Sequence, residues 1–236
     1  MLAKIPFLLK YLLPHRIWKF PSDEKAIYLS FDDGPIPEVT PWVLEQLKTY
    51  NAKASFFCIG DNIRKHPEVF REILAEGHSI GNHTYNHLNG WMTSTEKYVS
   101  NVLQAQEEIE SFENSESSVK LFRPPYGRLT EKQARLLRKK GFSIVMWEVL
   151  SMDYDHRITP EKCRQNVLKN ADPGSIIVFH DSLKAEKNLK AVLPKVLQYY
   201  LEKGYAFRAI NGHLEGFPSG KSKSNGGSKR IPELNR

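Results

Sequence analysis

The stretch Tyr28-Leu29-Ser30-Phe31-Asp32-Asp33-Gly34-Pro35 decides the fold, because it joins a buried strand to two adjacent carboxylates. The run over residues 26–31 has the length and the β-branched and aromatic content of a core strand, which Gly34 and Pro35 end. Successive side chains point to opposite sides, so Asp32 and Asp33 cannot easily share one role. Two alternatives stay open: an ordinary solvated turn, or a site in which a cation compensates at least one buried carboxylate.

The composition predicts one globular domain. The chain has 236 residues, 40% of them hydrophobic, which is enough to bury a full core. The 34 Lys and Arg exceed the 27 Asp and Glu, and the net charge of +7 would suit an anionic partner. Much of that excess lies at the two ends, so nucleic-acid binding would rest on charge alone and is not expected. The only cysteines, Cys58 and Cys163, exclude a disulfide framework and are expected to be buried thiols.

Residues 1–24 form a basic and apolar lead segment. Lys10 interrupts its apolar run, which is too short to span a bilayer, and no small-residue cleavage site follows. We therefore expect no secretion signal, which favours a cytoplasmic or membrane-associated location over the bacterial cell envelope. For residues 1–20 two alternatives stay open, packing on the domain or peripheral contact with a membrane face.

The rest of the chain alternates predicted strands with predicted helices. This pattern indicates βαβ units and a parallel sheet, and six or seven strands predict a closed or nearly closed barrel in one α/β domain over residues 25–211. Beyond it, residues 212–236 are rich in Gly, Ser, Lys and Asn and are predicted to be a flexible basic tail. The expected strands cover residues 26–31, 52–60, 78–81, 119–122, 142–147, 175–179 and 205–210. The expected helices cover residues 39–50, 62–76, 94–112, 130–140, 159 onward and 189–202.

Ionisable side chains follow most of these strands. Because the carboxyl ends of parallel strands share one face, these side chains are expected to meet there. In chain order they are Asp32 and Asp33, His83 and His87, Arg123, Asp153, and His180 with Asp181.

His83 and His87 are four residues apart, a spacing that lets two imidazoles reach one ion. Two histidines and one carboxylate form a ligand set for Zn²⁺ or another borderline divalent metal, whereas the pair alone could equally be unrelated histidines. The Asp doublet favours the metal site. One carboxylate would then bind the metal and the other would act as a base, since a metal lowers the pKa of its bound water to about 7.

The remaining charged residues complete this chemistry. Arg123, held by two prolines, is able to pair with the free carboxylate, the alternative being a surface salt bridge. His180 follows an apolar strand and has the chemistry of a general acid for a leaving amine. Asp181 either orients His180 or begins the next turn.

Four motifs in this order resemble a known family. Ser-Phe-Asp-Asp-Gly-Pro, Gly-Asn-His-Thr-x-x-His, Arg-Pro-Pro-Tyr-Gly and Ile-Val-Phe-His-Asp are similar to the motifs of the polysaccharide deacetylases with the NodB-homology domain, carbohydrate esterase family four. The resemblance covers residues 25–210. It implies an α/β fold, a distorted (β/α)7-type barrel in a single domain, and metal-dependent removal of acetyl groups from N-acetylated or O-acetylated sugars.

The resemblance also implies a role for each matching residue. Asp32 is the expected catalytic base, tuned by Arg123, and His180 is the expected acid. The backbone N–H of Tyr126 is expected to help hold the oxyanion. The expected metal ligands are Asp33, His83 and His87, with Zn²⁺ the leading ion and Co²⁺, Ni²⁺ and Mn²⁺ as alternatives.

One motif departs from the family pattern. Where relatives have Asp-x-x-Asp-Trp, this chain has Leu150 in place of the first Asp and Tyr154 in place of the Trp. Asp153 is the expected support for Arg123, and Tyr154 is expected to form the aromatic wall. Trp147 is expected to be a core residue.

The leading interpretation is a hydrolase that removes acetyl groups from N-acetylated sugars of a peptidoglycan-like or chitin-like glycan, by attack of metal-bound water on the amide carbonyl. The alternatives are an O-acetyl xylan or exopolysaccharide esterase and a catalytically weak glycan-binding relative.

Overall fold

The computed structural model describes residues 3–21, 24–112 and 119–210. Its centre is a parallel sheet, curled into a half-barrel, in the order β5-β4-β3-β2-β1-β7-β6, with β8 paired to β1. The strands are β1 Ala26–Asp32, β2 Ser55–Cys58, β3 Ser79–Asn82, β4 Lys120–Phe122, β5 Phe142–Ile144, β6 Val149–Leu150, β7 Ile176–His180 and β8 Ala206–Phe207.

Eight helices accompany the sheet in the described residues, with 3₁₀ turns at Gly90–Met92 and Pro125–Gly127. They are α1 Phe7–Leu12, α2 Thr40–Thr49, α3 Gly60–Lys65, α4 Pro67–Ala75, α5 Thr95–Glu110, α6 Glu131–Lys139, α7 Pro160–Leu168 and α8 Glu186–Glu202. This architecture confirms the predicted distorted α/β barrel in a single domain. The limits of 25 and 211 stay a prediction, and the predicted tail at 212–236 lies outside the described residues.

Strand β1 divides its side chains between two environments. Leu29 and Phe31 pack in a cluster with residues of α2, α4, α7 and α8, and the Phe31 ring stacks on Phe56 at 5.1 Å. Ser30 and Asp32 alternate with them and lie in the concave side of the sheet. The alternation that covers one face with helices therefore directs the Asp32 carboxylate into the barrel.

The lead segment fills the gap between β5 and β6. Ile17 accepts from the Met146 amide and donates to the Ile144 carbonyl, at 2.7 and 2.8 Å, and the Leu150 amide donates to the Ala3 carbonyl. Ile17 and its neighbour Trp18 are buried among barrel residues. The part of the lead segment around these residues thus packs on the domain, whereas no residue of α1 is buried.

Several local features differ from the predictions. The single helix expected over residues 62–76 is broken into α3 and α4, because Pro67 cannot follow a helical residue without a steric clash. The strand expected over 142–147 ends at Ile144, and the last strand is only two residues long. Cys58 and Cys163 are buried free thiols, as predicted. Among the described residues, no helix is long and apolar enough to cross a membrane.

Candidate active site and metal centre

The polar strand ends meet around one cavity of about 310 Å³ at the carboxyl edge of the sheet. Asp32 and His180 are direct register partners on β1 and β7, which fixes their separation across the sheet. The cavity is lined by Asp32, Asp33, His83, His87, Pro124, Tyr126, Trp147, Leu150, Tyr154, Val178, His180 and Lys184.

Asp32 forms a buried ion pair with Arg123. The Arg123 guanidinium is fully buried, and its Nη1 donates to Asp32 Oδ1 at 2.6 Å and to Ser30 Oγ at 2.8 Å. Its Nη2 donates to the Met146 carbonyl at 3.0 Å, and its charge lies 3.9 Å from the centre of the Phe57 ring. These contacts hold the guanidinium in one orientation, so Asp32 keeps a positive partner within the site.

Asp33, the second carboxylate of the doublet, faces the imidazoles of His83 and His87. The Nε2 atoms of His87 and His83 are 3.2 and 3.6 Å from Asp33 Oδ1, and one ligand atom from each residue falls within 4.8 Å of the others. Asp33 Oδ1 is buried and accepts no hydrogen bond from any described residue. Burial alone would raise the pKa of Asp33, but His87, His180 and His83 outweigh it and lower the pKa well below its usual range.

Both imidazoles are oriented by partners at Nδ1. His83 Nδ1 lies 2.8 Å from the Arg123 carbonyl, which only accepts, so Nδ1 carries the proton and Nε2 presents its lone pair to Asp33. Burial lowers the pKa of His83 to about 4, despite the opposing charge of Asp32, so this ring is neutral at neutral pH. His87 Nδ1 lies 3.1 Å from the Tyr126 hydroxyl. Two imidazole nitrogens and a buried carboxylate oxygen are a donor set that fits Zn²⁺ or a similar divalent ion.

Asp153 lies against His180, not against Arg123 as expected. Its Oδ1 is 2.8 Å from His180 Nδ1, and its Oδ2 accepts from the His180 amide at 2.8 Å. Burial lowers the pKa of His180, but the charge and hydrogen bond of Asp153, with smaller contributions from Asp33 and Asp32, raise it to about 9. The Arg123 guanidinium already donates hydrogen bonds to Asp32, to the Ser30 hydroxyl and to backbone carbonyls, and Asp153 is not among its acceptors.

Asp181 does not orient His180. Its side chain accepts from the Gly34 amide at 3.0 Å and from the Thr40 hydroxyl at 2.6 Å, and so it fastens the loop that follows Asp33. Burial raises its pKa to about 8. The two alternatives for Asp181 were that it orients His180 or that it begins a turn. Instead, its buried side chain links the end of β7 to the loop that follows β1 through hydrogen bonds.

Left-handed backbone is concentrated at the same edge. Six described residues other than glycine have positive φ, and five of them belong to or adjoin the polar groups of the site. These five are Asp33, Thr84, His87, Tyr126 and Met152. Such conformations cost about 1–2 kcal/mol each, and they persist where surrounding contacts fix them. At Tyr126 (φ 59°) the turn leaves the amide N–H with no acceptor among the described residues.

Trp147 is buried in the core, as predicted, and it also forms part of the cavity wall, which the sequence did not indicate. Trp147 is 7% exposed, lines the cavity, and its indole Nε1 has no hydrogen-bond partner among the described residues. Leu150 and Tyr154 are also in the wall, and the Tyr154 ring meets the His180 ring edge-on at 4.8 Å. The only available signal for Trp147 was its position just after a strand, which is also typical of a core residue.

The comparisons with known proteins agree with this geometry. A model of the polysaccharide deacetylase family matches residues 19–145. A peptidoglycan-N-acetylglucosamine deacetylase of Bacillus cereus is 36% identical over 198 residues, which are 82% of this chain and 90% of the relative. A chitooligosaccharide deacetylase of Azorhizobium caulinodans is 37% identical over 161 residues, 68% of this chain and 75% of the relative.

One solved structure has the same fold over most of the length of both chains. The Bc1960 peptidoglycan N-acetylglucosamine deacetylase, crystallised with 4-naphthalen-1-yl-N-oxidanyl-benzamide, has a TM-score of 0.79 and 31% identity, covering 87% of this chain and 95% of that chain. The chain therefore belongs to the polysaccharide deacetylase family.

Proposed function

We propose that this protein is a metal-dependent hydrolase that removes acetyl groups from N-acetylated sugars of a peptidoglycan-like or chitin-like glycan. The observation that carries the proposal is the convergence of three units on one cavity. These are the metal-ligand set of Asp33, His83 and His87, the Asp32–Arg123 pair and the Asp153–His180 pair.

The donor set of Asp33, His83 and His87 supports a divalent metal, with Zn²⁺ the leading ion and Co²⁺, Ni²⁺ and Mn²⁺ as alternatives. When bound there, such a metal supplies Lewis acidity toward the acetyl carbonyl and toward the attacking water. Elemental analysis of the purified protein should find about one ion per chain, and Asp33→Asn should lose it. A chain without metal after growth in supplemented medium and direct titration would contradict the assignment.

Each remaining residue has a role that its contacts support. Asp32 takes the proton of the attacking water, and Arg123 keeps its carboxylate in place. The Tyr126 amide N–H donates to the oxygen that gains charge at the tetrahedral carbon. His180, oriented by Asp153, gives its proton to the nitrogen of the leaving sugar amine.

The state of His180 favours an amide over an ester substrate. An amine must be protonated to leave, whereas an alcohol leaves with less help, and the raised pKa of His180 keeps it protonated at neutral pH. The esterase alternative predicts equal or faster release from O-acetylated xylan. Comparing kcat/KM for an N-acetyl and an O-acetyl oligosaccharide separates the two.

Acetate release from a chito-oligosaccharide tests the whole proposal. The Zn²⁺-loaded protein should release acetate, full chelation should abolish release, and added metal should restore it. Asp32→Asn should lower kcat by about 10²–10⁴-fold, the range of a general base, whereas Asp61→Asn on α3 should not. Release that survives both chelation and Asp32→Asn would refute the mechanism.

We also propose that residues 1–20 contact a membrane surface through α1. Support comes from four apolar or aromatic side chains of this short helix, Phe7, Leu8, Tyr11 and Leu12, which are 79%, 66%, 74% and 64% exposed. The protein should float with anionic lipid vesicles, and Leu8→Glu should abolish flotation. Leu201→Glu, at an exposed leucine on α8, is the control and should have no effect. Absence of flotation with the unmodified chain would exclude this contact.

A further inference from the structure

An aromatic and cationic surface continues from the cavity. The Tyr126 ring meets the His87 ring at 4.6 Å, and the Arg128 guanidinium lies 6.0 Å from the centre of the Tyr126 ring and 5.3 Å from that of Trp91. Trp91 is 65% exposed and Tyr126 is 54% exposed. Trp91, Tyr126 and Arg128, here called the Trp91 ledge, thus lead outward from a proposed metal ligand.

The exposure of Trp91 is built into a fixed turn. Gln133 is fully buried, and its Nε2 donates to the carbonyls of Gly90 and Thr93 at 2.9 and 3.2 Å. The Asn89 side chain accepts from the Trp91 amide at 3.0 Å. A Cβ at Gly90 would lie 2.4 Å from the Arg128 carbonyl, so the turn also packs closely on the backbone of Arg128. An indole held outside the core by such a framework is an exposed apolar surface that a ligand would cover.

The Trp91 ledge and the cavity lining each carry a cation without a carboxylate partner among the described residues. Arg128 and Lys184 are both exposed, and neither has a carboxylate oxygen within 4 Å in the described part of the chain. Lys184 lines the cavity and lies 5.6 Å from the Tyr154 ring centre. By contrast, many other lysines and arginines of the described residues form ion pairs, such as Arg157 with Asp155. Arg128, beside the lining residue Tyr126, and Lys184, in the lining itself, therefore add positive charge to this surface, which attracts an anionic ligand.

We propose that the Trp91 ledge is a second sugar-binding subsite, which takes the sugar next to the one being deacetylated and selects glycans in which that sugar bears a carboxylate. Trp91 provides a flat apolar face for the pyranose ring, and Arg128 pairs with the carboxylate. The lactyl group of an N-acetylmuramic acid that carries no peptide supplies such a carboxylate, whereas a chitin oligomer is neutral and a peptide-bearing lactyl group is an uncharged amide at that position. The inference rests on the proposed deacetylase function and makes the peptide-free form of a peptidoglycan-like strand the preferred substrate.

Three tetrasaccharides of matched length test the subsite. One is neutral chitotetraose, one alternates N-acetylglucosamine with N-acetylmuramic acid, and the third is the methyl ester of the second. Calorimetry gives Kd on Zn²⁺-loaded Asp32→Asn protein, which does not consume the ligand, and acetate release gives KM on the otherwise unmodified enzyme. The variants are Arg128→Gln, Trp91→Ala and Trp91→Phe, with Arg135→Gln on the exposed side of α6 as the matched control.

Arg128→Gln should weaken binding of the carboxylate glycan by about fivefold to tenfold and change the two neutral ligands by less than about twofold. Trp91→Ala should weaken all three by about tenfold, and Trp91→Phe should restore most of that loss. Arg135→Gln should change nothing, and 0.5 M salt should reduce the preference of the unmodified protein. Equal Kd values for the acid and its methyl ester, or equal losses for all ligands with Arg128→Gln, would overturn the inference.

The two readouts separate failure of the subsite from failure of the proposed function. If the enzyme releases acetate but shows no Arg128-dependent preference, the deacetylase proposal stands and the subsite proposal is overturned. If the Kd values show the Arg128-dependent preference for the carboxylate glycan but no ligand releases acetate, the subsite proposal stands and the proposed activity is overturned.

Discussion

Replacing Asp153 by Asn removes the charge that holds His180 protonated while preserving the size of the side chain. Asp153 is fully buried, and its carboxylate makes two 2.8 Å contacts with His180. Its charge and hydrogen bond are the largest influences that raise the pKa of His180 to about 9, against a burial effect that lowers it. Without them, burial would bring the pKa of His180 to or below the ordinary value.

The size of the effect follows from the fraction of His180 that is protonated. At pH 7.5 a pKa of about 9 leaves roughly 97% of the imidazole protonated, whereas a pKa at or below about 6.5 leaves roughly 10% or less. The loss of acid form is thus about tenfold. Loss of the fixed ring orientation adds to it, so kcat/KM for an N-acetyl substrate should fall by about 10²–10³-fold.

The assay is the pH profile of acetate release by the metal-loaded enzyme. The alkaline limb should move down by about two pH units or more in Asp153→Asn. A metal at Asp33 offsets the small contribution of that carboxylate in both proteins, so the difference between their limbs is the diagnostic quantity. Hydrolysis of 4-nitrophenyl acetate, whose leaving group needs no proton, should fall much less.

Asp155→Asn is the matched control, because Asp155 lies in the same loop and pairs with Arg157 instead of the site. It should leave the limb in place. An unchanged alkaline limb in Asp153→Asn, with the N-acetyl and nitrophenyl substrates equally affected, would refute the acid role of His180.

Three further outcomes follow from individual contacts. Arg123→Met should lower the free energy of unfolding by about 3–5 kcal/mol in a denaturant titration, since it leaves Asp32 as an uncompensated buried charge; a loss below about 1 kcal/mol would show that the pair is hydrated. Trp147→Phe should fold normally and raise KM by about twofold to tenfold, because it removes one unpartnered N–H from the cavity wall. Asp181 has a pKa raised to about 8, so the native state binds a proton that the unfolded state has lost above its pKa near 4. The stability of the metal-free protein should therefore fall as pH rises from about 4 to 8, and this fall should be smaller in Asp181→Asn.

Most strands and the grouping of the polar residues at their ends followed from the sequence because both depend on local patterns. The two-residue strand β6, Val149–Leu150, falls outside every expected strand and was missed. Residues 26–31 carry the composition of a core strand, and a parallel sheet brings the carboxyl ends of its strands together whatever their exact lengths. Asp32 and Asp33 were separable for the same reason, since side chains alternate along a strand. The position of the lead segment was not predictable, because Ile17 joins the sheet through a single bridge that has no periodicity.

The partner of Asp153 was the principal error, and it depended on loop geometry. Met152 has φ 63°, a left-handed conformation that usually occurs at glycine or asparagine. Because a methionine occupies the position, the sequence did not predict this turn. Ser151 Oγ then donates to Asp153 Oδ1 at 2.9 Å, which helps to fix the carboxylate toward β7. The conformation of this loop places the Asp153 carboxylate beside His180, and the spacing of residues in the sequence does not specify that conformation.

The buried Asp32–Arg123 pair shows why stability alone does not account for this site. Desolvating both charges costs several kcal/mol per ion, and apolar side chains of similar volume often replace such pairs with no loss of stability. The neighbouring positions on β1, Leu29 and Phe31, are apolar and stabilise the fold through burial. At the inward positions of the same strand, Ser30 and Asp32 instead both accept hydrogen bonds from Arg123, whose Nε and Nη2 donate to carbonyls. These contacts hold one carboxylate beside a second that faces two imidazoles. The alternation of β1 therefore separates two functions within one strand, since its outward residues stabilise the sheet and its inward residues position the reactive carboxylate at a cost to stability.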